Sequence, residues 1–401
     1  MSKLEELIQE LCPDGVETFP LEECCNILDK KRKPVTKNSR EKGEYPYYGA
    51  NGVQDYVSDY IFNGKFVLVG EDGSVITKSG TPVVTWAEGK IWVNNHAHVI
   101  EEKSGTMLRY LYFYIQTIDV TSLIHGNIPK LTGRDFRSLK IALPPLEIQR
   151  EIVSILDNFT ELTAELTAEL TARKTQYTYY RDKLLANSYK GEIKQLEECC
   201  DSIADGDHQA PPKADSGVPF ITISDIDERH EINLNVTKYV PDEYYNRLAD
   251  KRRPQKGDVL YTVVGSYGIP VYISENKRFV FQRHIAILRP NNAVIDSRYL
   301  YHAMNGTAFH RQADLAAKGA AQKTIGLASL AKMTVPVPPL DVQNRIVNVL
   351  DNFEKICSDL NIGLPAEIEA RQKQYEYYRD KLLTFAETGN TILNGTERNS
   401  D

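Results

Sequence analysis

From Leu146 to Lys190 the chain contains neither Gly nor Pro, and Pro144 and Pro145 stand just before this stretch. Apolar residues recur there at Ile148, Ile152, Ile155, Phe159, Leu162 and Leu166, in alternating steps of four and three. That spacing keeps one seam of a helix apolar, as a coiled coil requires. It predicts a helix over 146–186, about 60 Å long at a rise of 1.5 Å per residue. A second run opens in the same way at Leu340 but meets Gly363 and Pro365, where a kink or break is expected because Pro lacks the N–H that a helix interior needs. The segments 20–142 and 196–336 follow another pattern. YPYYGANG and GKFVLVGEDGSVITKSGTPVVTW in the first, and GVPFITISDI and KGDVLYTVVGSYGIPVYIS in the second, are rich in Gly, Pro, Tyr and β-branched residues. Such runs predict mixed domains of short strands and many loops.

The chain repeats itself. LPPLEIQREIVSILDNF at 143–159 returns as VPPLDVQNRIVNVLDNF at 337–353 with 10 of 17 positions identical, and RKTQYTYYRDKLL at 173–185 returns as RQKQYEYYRDKLL at 371–383 with 10 of 13. LEECC stands at 21–25 and again at 196–200. The order is therefore variable segment, helix, variable segment, helix. The helix starts are offset by 194 residues and the helix ends by 198, so the helices differ by four residues. The first contains TELTAELTAELTA at 160–172, in which Leu162, Leu166 and Leu170 are spaced by four. That spacing predicts a stutter that locally unwinds a left-handed coil. One four-residue block shifts whatever follows by about 6 Å and about 40°. The alternative, coiled-coil slippage without function, stays open.

Composition narrows the class. With 401 residues, 41% hydrophobic and 26% charged, the chain reads as globular, in two or three domains. No apolar run is long enough to span a membrane, and the start MSKLEELIQELCPDG lacks a signal-peptide pattern. A soluble cytoplasmic protein is expected. The six cysteines (12, 24, 25, 199, 200 and 357) form no CxxC pair, so buried reduced thiols are expected rather than zinc ligands. The net charge of −7 argues against a surface coated in nucleic-acid-binding charge. The acid excess is local, however. Lys plus Arg against Asp plus Glu is 16 to 14 in 20–142 and 17 to 17 in 196–336, leaving 15 to 24 elsewhere. The variable segments are near neutral and carry basic runs, KKRK at 30–33 and KRR at 251–253.

Catalytic signatures are missing. There is no GxxxxGK[ST], no GxGxxG opening a helix, and no DPPY-like tetrapeptide of an amino-methylating enzyme. His96 and His284 fall at similar places in the variable segments, where a structural role is the plainer account. Glu71 and Asp72, and Asp205, Asp207 and His208, suit metal binding by residue type, but Asp-Gly turns explain them equally well.

With PPLxxQxxIVxxLD at both helix starts, QYxYYRDKLL at both helix ends and the TAEL block between, the chain resembles the specificity subunit of type I restriction–modification systems along nearly its whole length. The variable segments match less specifically, through YPYYGANG, GEDGS and DGDHQAPP. The resemblance implies an α+β fold: two mixed α/β target-recognition domains separated by two long antiparallel coiled-coil helices, as a pseudo-twofold internal repeat. The implied segments are a first recognition domain (1–142), a TAEL spacer helix (143–190), a second recognition domain (191–336), a second spacer helix (337–386) and a polar tail (387–401), expected to be disordered. Each recognition domain would read one half of a bipartite double-stranded DNA site. The helices would set the gap and dock two modification subunits that methylate adenine, and two restriction (motor–nuclease) subunits would join for cleavage. S-adenosylmethionine, ATP and Mg belong to those partners, and the chain itself is implied to catalyse nothing and to hold no cofactor.

For DNA contact, Tyr47, Tyr48 and Asn51 are the expected base readers of the first domain, with Lys31 and Arg32 on phosphates. Lys130 in HGNIPKLT and Lys323 in KGAAQKT stand at similar positions in the two halves and are the stronger candidates. For spacing and docking the expected residues are Leu162, Leu166, Leu170, Tyr177, Tyr180, Tyr375 and Tyr378. A self-sufficient methyltransferase or nuclease would need a cofactor site that no motif supplies. A two-domain coiled-coil scaffold that binds no DNA remains compatible with the composition.

Overall fold

A computed structural model describes residues 3–187, 192–206, 211–236, 238–320, 322–359 and 362–388. The chain divides into two compact units, Met1–Glu165 with Glu369–Asp401, and Leu166–Ile368. Each unit thus combines a variable segment with the start of one long helix and the end of the other. Asp207, His208 and residues 389–401 of the tail lie outside the described residues.

The first unit opens with α1 (Lys3–Leu11), β1 (Thr18–Pro20), α2 (Leu21–Cys24) and β2 (Asn26–Ile27). It continues through β3 (Lys42–Gly49), β4 (Gly52–Val57), β5 (Phe62–Gly70), β6 (Val84–Val93) and β7 (Ala97–Glu101). Then come α3 (Leu108–Ile115), β8 (Ile124–His125), β9 (Lys130–Leu131), α4 (Gly133–Arg137) and β10 (Lys140–Ala142), which leads into α5 (Leu146–Asn187). Six strands form one sheet in the order β2-β7-β5-β6-β3-β4. It is antiparallel except where β3 runs parallel to β6, pairing Tyr47 with Trp92 and Tyr48 with Val93. The β3–β4 hairpin turns through Ala50 and Asn51, with Gly49 opposite Gly52; Gly52 has φ +83, a conformation that a side chain would strain. β1 returns to pair with β10, Thr18 opposite Ala142, so the start of the domain is fixed beside its exit into α5. Leu4 and Ile8 of α1 share a core with Ile148, Ile152 and Leu156 and with Leu382 and Leu383.

The second unit repeats this plan with different contents. It runs β11 (Glu192–Gln195), α6 (Leu196–Cys199), β12 (Cys200–Asp205), β13 (Val218–Ile221), β14 (Tyr239–Val240), α7 (Asp242–Arg247) and β15 (Val259–Thr262). Next are β16 (Pro270–Tyr272), β17 (Val280–Phe281), β18 (Ile285–Pro290), α8 (Ser297–Met304), α9 (Thr307–Ala316), α10 (Leu327–Ala331) and β19 (Thr334–Val337). The sheets are β12-β18-β15-β16 and β14-β13-β17, with β11 pairing β19 as β1 pairs β10. The second long helix is interrupted: α11 (Leu340–Ser358) ends and α12 (Leu364–Thr388) begins around Gly363, where the sequence places its Gly and Pro. Within this unit α5 and α11 run antiparallel, since Tyr180 stacks on Phe353 while the later Cys357 lies in the field of the earlier Lys174 and Arg173.

Two expectations for α5 need correction. The fully buried seam is Ile148, Ile152 and Leu156, with Ile155 only partly buried and Leu162 46% exposed. A helix advances about 100° per residue, so a shift of one position hands the seam to a neighbouring side chain. Beyond it the half-buried row is Phe159, Thr163, Leu166, Leu170, Arg173 and Tyr177. These steps alternate four and three, so the row keeps a heptad and does not stutter through Leu162, Leu166 and Leu170. Thr163 suits the row because its hydroxyl donates to the Phe159 carbonyl at 2.9 Å, hiding its polarity within the helix.

All six cysteines are free. In the two LEECC repeats Leu21, Cys24, Leu196 and Cys199 are buried, and burial pushes the Cys24 and Cys199 thiols up to about 11. Their role is packing.

Candidate nucleic-acid interface

The loops after β5 and before α4 meet in the first unit. Leu131 N–H donates to the Glu71 carbonyl at 2.9 Å, and Gly73 N–H to the Pro129 carbonyl at 2.9 Å. Behind them Arg32 points inward. Its Nη1 lies 2.6 Å from Glu71 Oε2 and its Nε donates to the Asp29 carbonyl at 2.9 Å. His98 is fully buried and stacks on Phe136 at 4.0 Å between centroids, with its Nδ1 2.8 Å from Asp29 Oδ2 and its Nε2 3.2 Å from the Leu131 carbonyl. Burial pushes the Asp29 carboxyl up, but hydrogen bonds from His98 and the Val99 N–H, with the nearby Arg32 charge, hold it below the usual range.

Several sequence expectations change here. Arg32 is consumed by this network rather than presented to a phosphate, while Lys31 beside it is exposed. Tyr47 and Tyr48 are buried: they sit on β3, which is paired on both sides, and successive strand residues point to opposite faces, both covered here. The Tyr47 hydroxyl accepts from Val35 N–H at 3.0 Å, and the Arg40 guanidinium lies over its ring at 4.1 Å. Asn51 is exposed at the hairpin turn. Lys130 is half-exposed, with its Nζ 3.2 Å from Glu71 Oε1.

The second unit builds the same loop pair without the acids. Ile325 N–H donates to the Val263 carbonyl at 2.8 Å and Gly265 N–H to the Lys323 carbonyl at 2.9 Å. Lys323 thus rides on the loop after β15 as Lys130 rides on the loop after β5, and its side chain is exposed. In the KRR run Arg252 reaches towards Asp205 at 3.8 Å and Arg253 towards Asp250 at 3.7 Å, leaving Lys251 exposed.

Of the carboxylates that suit metal binding by residue type, Glu71 pairs with Arg32 and Lys130, Asp72 with His96, and Asp205 with Arg252, while Asp207 lies outside the described residues. Asp29, Glu71 and His98 converge, as do His302, Asp351 and Glu354, but Arg32 already bridges the first group and Arg298 the second. A guanidinium between the carboxylates supplies the positive charge that a cation would bring. His96 pairs with Asp72 at the surface, and His284 is half-buried with its carbonyl accepting from Val263 N–H.

The helix ends hold duplicate contacts that the sequence reading missed. Gln149 and Gln343 are fully buried. Gln149 Oε1 accepts from Met107 N–H at 2.8 Å, and its Nε2 donates to the Gly105 and Pro144 carbonyls at 3.1 and 2.7 Å. Gln343 Oε1 accepts from Asp296 N–H at 2.7 Å, and its Nε2 donates to the Val294 and Pro338 carbonyls at 3.1 and 2.8 Å. Arg109 Nε donates to Asp157 Oδ1 at 2.7 Å and Arg298 Nε to Asp351 Oδ1 at 2.8 Å. The Tyr110 and Tyr299 hydroxyls donate to the Ala142 and Pro336 carbonyls at 2.8 and 3.0 Å. The signal for this was Arg-Tyr-Leu-Tyr, present at 109–112 and again at 298–301 but too short to stand out beside the long repeats.

Tyr177, Tyr375 and Tyr378 are half-buried and Tyr180 is 38% exposed, and each ring meets another ring within its own unit. Tyr375 meets Phe113 and Tyr378 meets Phe159 in the first unit, while Tyr177 meets His302 and Tyr180 meets Phe353 in the second. The outward residues are their neighbours Tyr179 and Tyr377, 58% and 54% exposed, each with a lysine ammonium, Lys183 or Lys381, over its ring.

A family model described as type I restriction modification DNA specificity domain matches residues 13–173 and 190–370. The chain belongs to that family. It is 35% identical over 399 residues to a putative type I restriction enzyme specificity subunit of Haemophilus influenzae, covering 96% of this chain and 98% of that one. The Escherichia coli EcoR124I/EcoR124II specificity subunit is 34% identical over 311 residues, 71% of this chain and 72% of that one. The fold is shared with the type I S subunit of M. genitalium, at a TM-score of 0.54 and 14% identity over 92% of this chain and 97% of that one. It is shared as well with a chain from a study of type I complex assembly, at a TM-score of 0.57 and 18% identity over 92% and 98%. Both copies of the family model span one variable segment and its adjoining helix, so the specificity family accounts for both halves of the repeat. Among the described residues no helix is long and apolar enough to cross a membrane.

Proposed function

We propose that this chain is the DNA-reading subunit of a type I restriction–modification complex in the cytoplasm. Each unit reads one half of a bipartite site, and the helices between fix the gap. The observation that carries this reading is the pair of dissimilar variable segments held by identical clamps. Gln149 with Arg109, and Gln343 with Arg298, make the same contacts to backgrounds that share little sequence. Keeping the mount while varying what is mounted suits a reader whose two half-sites differ. Membership of the specificity family supports DNA as the ligand, where composition alone left a DNA-free scaffold open.

DNA contact falls to the loop pairs that carry Lys130 and Lys323, with base reading at the Asn51 hairpin turn and phosphates met by Lys31, Lys130 and Lys323; such donors must stand at accessible positions. Two modification subunits would dock, one at each repeated helix end. Tyr179 and Lys183, and Tyr377 and Lys381, support that assignment. The two tyrosines are exposed, so folding does not demand them, yet both repeats keep them, and exposed tyrosines favour interfaces. Two restriction subunits would join this assembly. Methyl transfer and cleavage, with S-adenosylmethionine, ATP and Mg, belong to those partners.

The test is co-expression with the modification subunit and mapping of methylated adenines across the host genome. A bipartite motif with one fixed gap is the expected result. A complex that assembles and methylates without a bipartite motif would overturn the reading.

A further inference from the structure

We infer that Gln149 and Gln343 are positioning residues for gap measurement, by fixing the direction in which each recognition domain leaves its spacer helix. This rests on the reading of the chain as a two-domain DNA ruler. In each unit a short helix, α3 or α8, packs the recognition domain against the start of its spacer, and the first turn of that helix is held by two polar contacts. Its first end is pinned by glutamine. Gln149 accepts from the N–H of Met107, the residue that precedes α3, and Gln343 does the same for Asp296 before α8. Two residues on, still in the first turn, the Arg109–Asp157 or Arg298–Asp351 pair makes the second contact. Gln149 and Asp157 are eight residues apart on α5, as Gln343 and Asp351 are on α11. That is about 12 Å along one helix face. One contact would leave a pivot; two contacts this far apart set a direction.

The glutamine is the informative contact because its amide closes three backbone groups at once. It joins the loop before α3 or α8, the proline that precedes the spacer, and the spacer itself. Among natural side chains of similar size, only an amide both donates twice and accepts here. A methionine fills the volume but leaves those groups unpaired, removing one of the two polar contacts along the spacer while the Arg–Asp pair keeps the other.

The experiment uses the full chain assembled with its modification subunit, carrying Gln149→Met, Gln343→Met or both, with methylated adenines mapped genome-wide. For the native chain one gap length is expected. For each variant, methylation at sites with the gap one base pair longer or shorter, relative to the native gap, is expected to rise at least tenfold, with the half-site sequences unchanged. An unchanged gap profile, whether at full or reduced overall methylation, overturns the inference, because a merely structural glutamine would lower every gap alike. If a variant does not assemble, Gln149→Glu or Gln343→Glu, which keeps the acceptor and loses both donors, must give the same widened profile. A native complex that methylates without any fixed gap removes the ruler reading itself, a different outcome from a native gap that the variants leave intact.

Discussion

Phe159 lies against Tyr378 with ring centroids 5.4 Å apart and planes 21° from parallel, joining the start of the first repeat to the end of the second. In the other unit Phe353 meets Tyr180 at 5.9 Å and 25°. Each unit is thus completed by a helix end from the far repeat, which explains why both aromatic positions survive in both copies. Phe353→Ala should cost the second unit about 2 kcal/mol, below the range for a fully buried aromatic because Phe353 is only half-buried. Hydrogen exchange followed by mass spectrometry should show faster opening over 176–185 and 346–357, with the core around Ile152 unchanged. Equal acceleration in both units would contradict the pairing.

The two Arg–Asp pairs differ in their neighbours: Arg298 also meets Glu354, where the first repeat has Thr160, and a histidine stands beside Asp351. His302 donates from Nε2 to Asp351 Oδ1 at 2.7 Å and is 3.2 Å from the Tyr177 hydroxyl through Nδ1, whereas Phe113 meets the matching Tyr375. Burial pushes the Asp351 carboxyl up, but the His302 hydrogen bond and the Arg298 charge outweigh it and hold it below the usual range. A depressed carboxyl stabilises the fold above its unfolded value, near pH 4, and the gain is lost as pH falls through the folded value. Asp351→Asn should therefore flatten the acid side of the stability curve of the second unit, read by thermal unfolding between about pH 5 and about pH 2. A curve as steep as that of the unaltered chain would show that another carboxylate governs the loss.

Lys323→Ala should weaken DNA binding by the assembled complex and reduce the slope of log affinity against log salt by about 1, the signature of one lost phosphate contact. Lys130→Ala should do less, because Lys130 already shares its charge with Glu71 at 3.2 Å. Affinity titrations from low to moderate salt separate the two. An unchanged slope for Lys323→Ala would take that residue off the DNA.

How much of this was legible follows from where each signal sits. The helices, the break near Gly363 and the duplicated starts and ends are periodic or repeated over a dozen residues or more, and the chain shows them directly. YPYYGANG has loop composition and so presents Tyr47 and Tyr48 as accessible, while pairing with β6 and β4 makes its first half an interior strand. The basic run around Arg32 looks solvated until Glu71, distant in sequence, arrives beneath it. Gln149 and Gln343 were printed in both repeats, but a polar residue inside an apolar seam gains meaning only once its three backbone partners are placed.

The TAEL block offers the sharpest test, because the heptad row through Phe159, Thr163, Leu166, Leu170, Arg173 and Tyr177 separates length from phase. Removing four residues within 160–172 shortens α5 by about 6 Å and turns its remainder by about 40°. At 3.4 Å per base pair the gap should contract by one or two base pairs, but the half-buried row must then find a new register. Removing seven shortens the helix by about 10 Å with a turn of only about 20°, and leaves the alternation of four and three intact. The seven-residue deletion should therefore move the gap by about three base pairs while keeping more methylation activity than the four-residue one. If the four-residue deletion is the better tolerated, register in this row does not limit assembly, and the block acts as a spacer whose facing residues can be exchanged freely. Methylation mapping of the two deletions side by side decides between these outcomes.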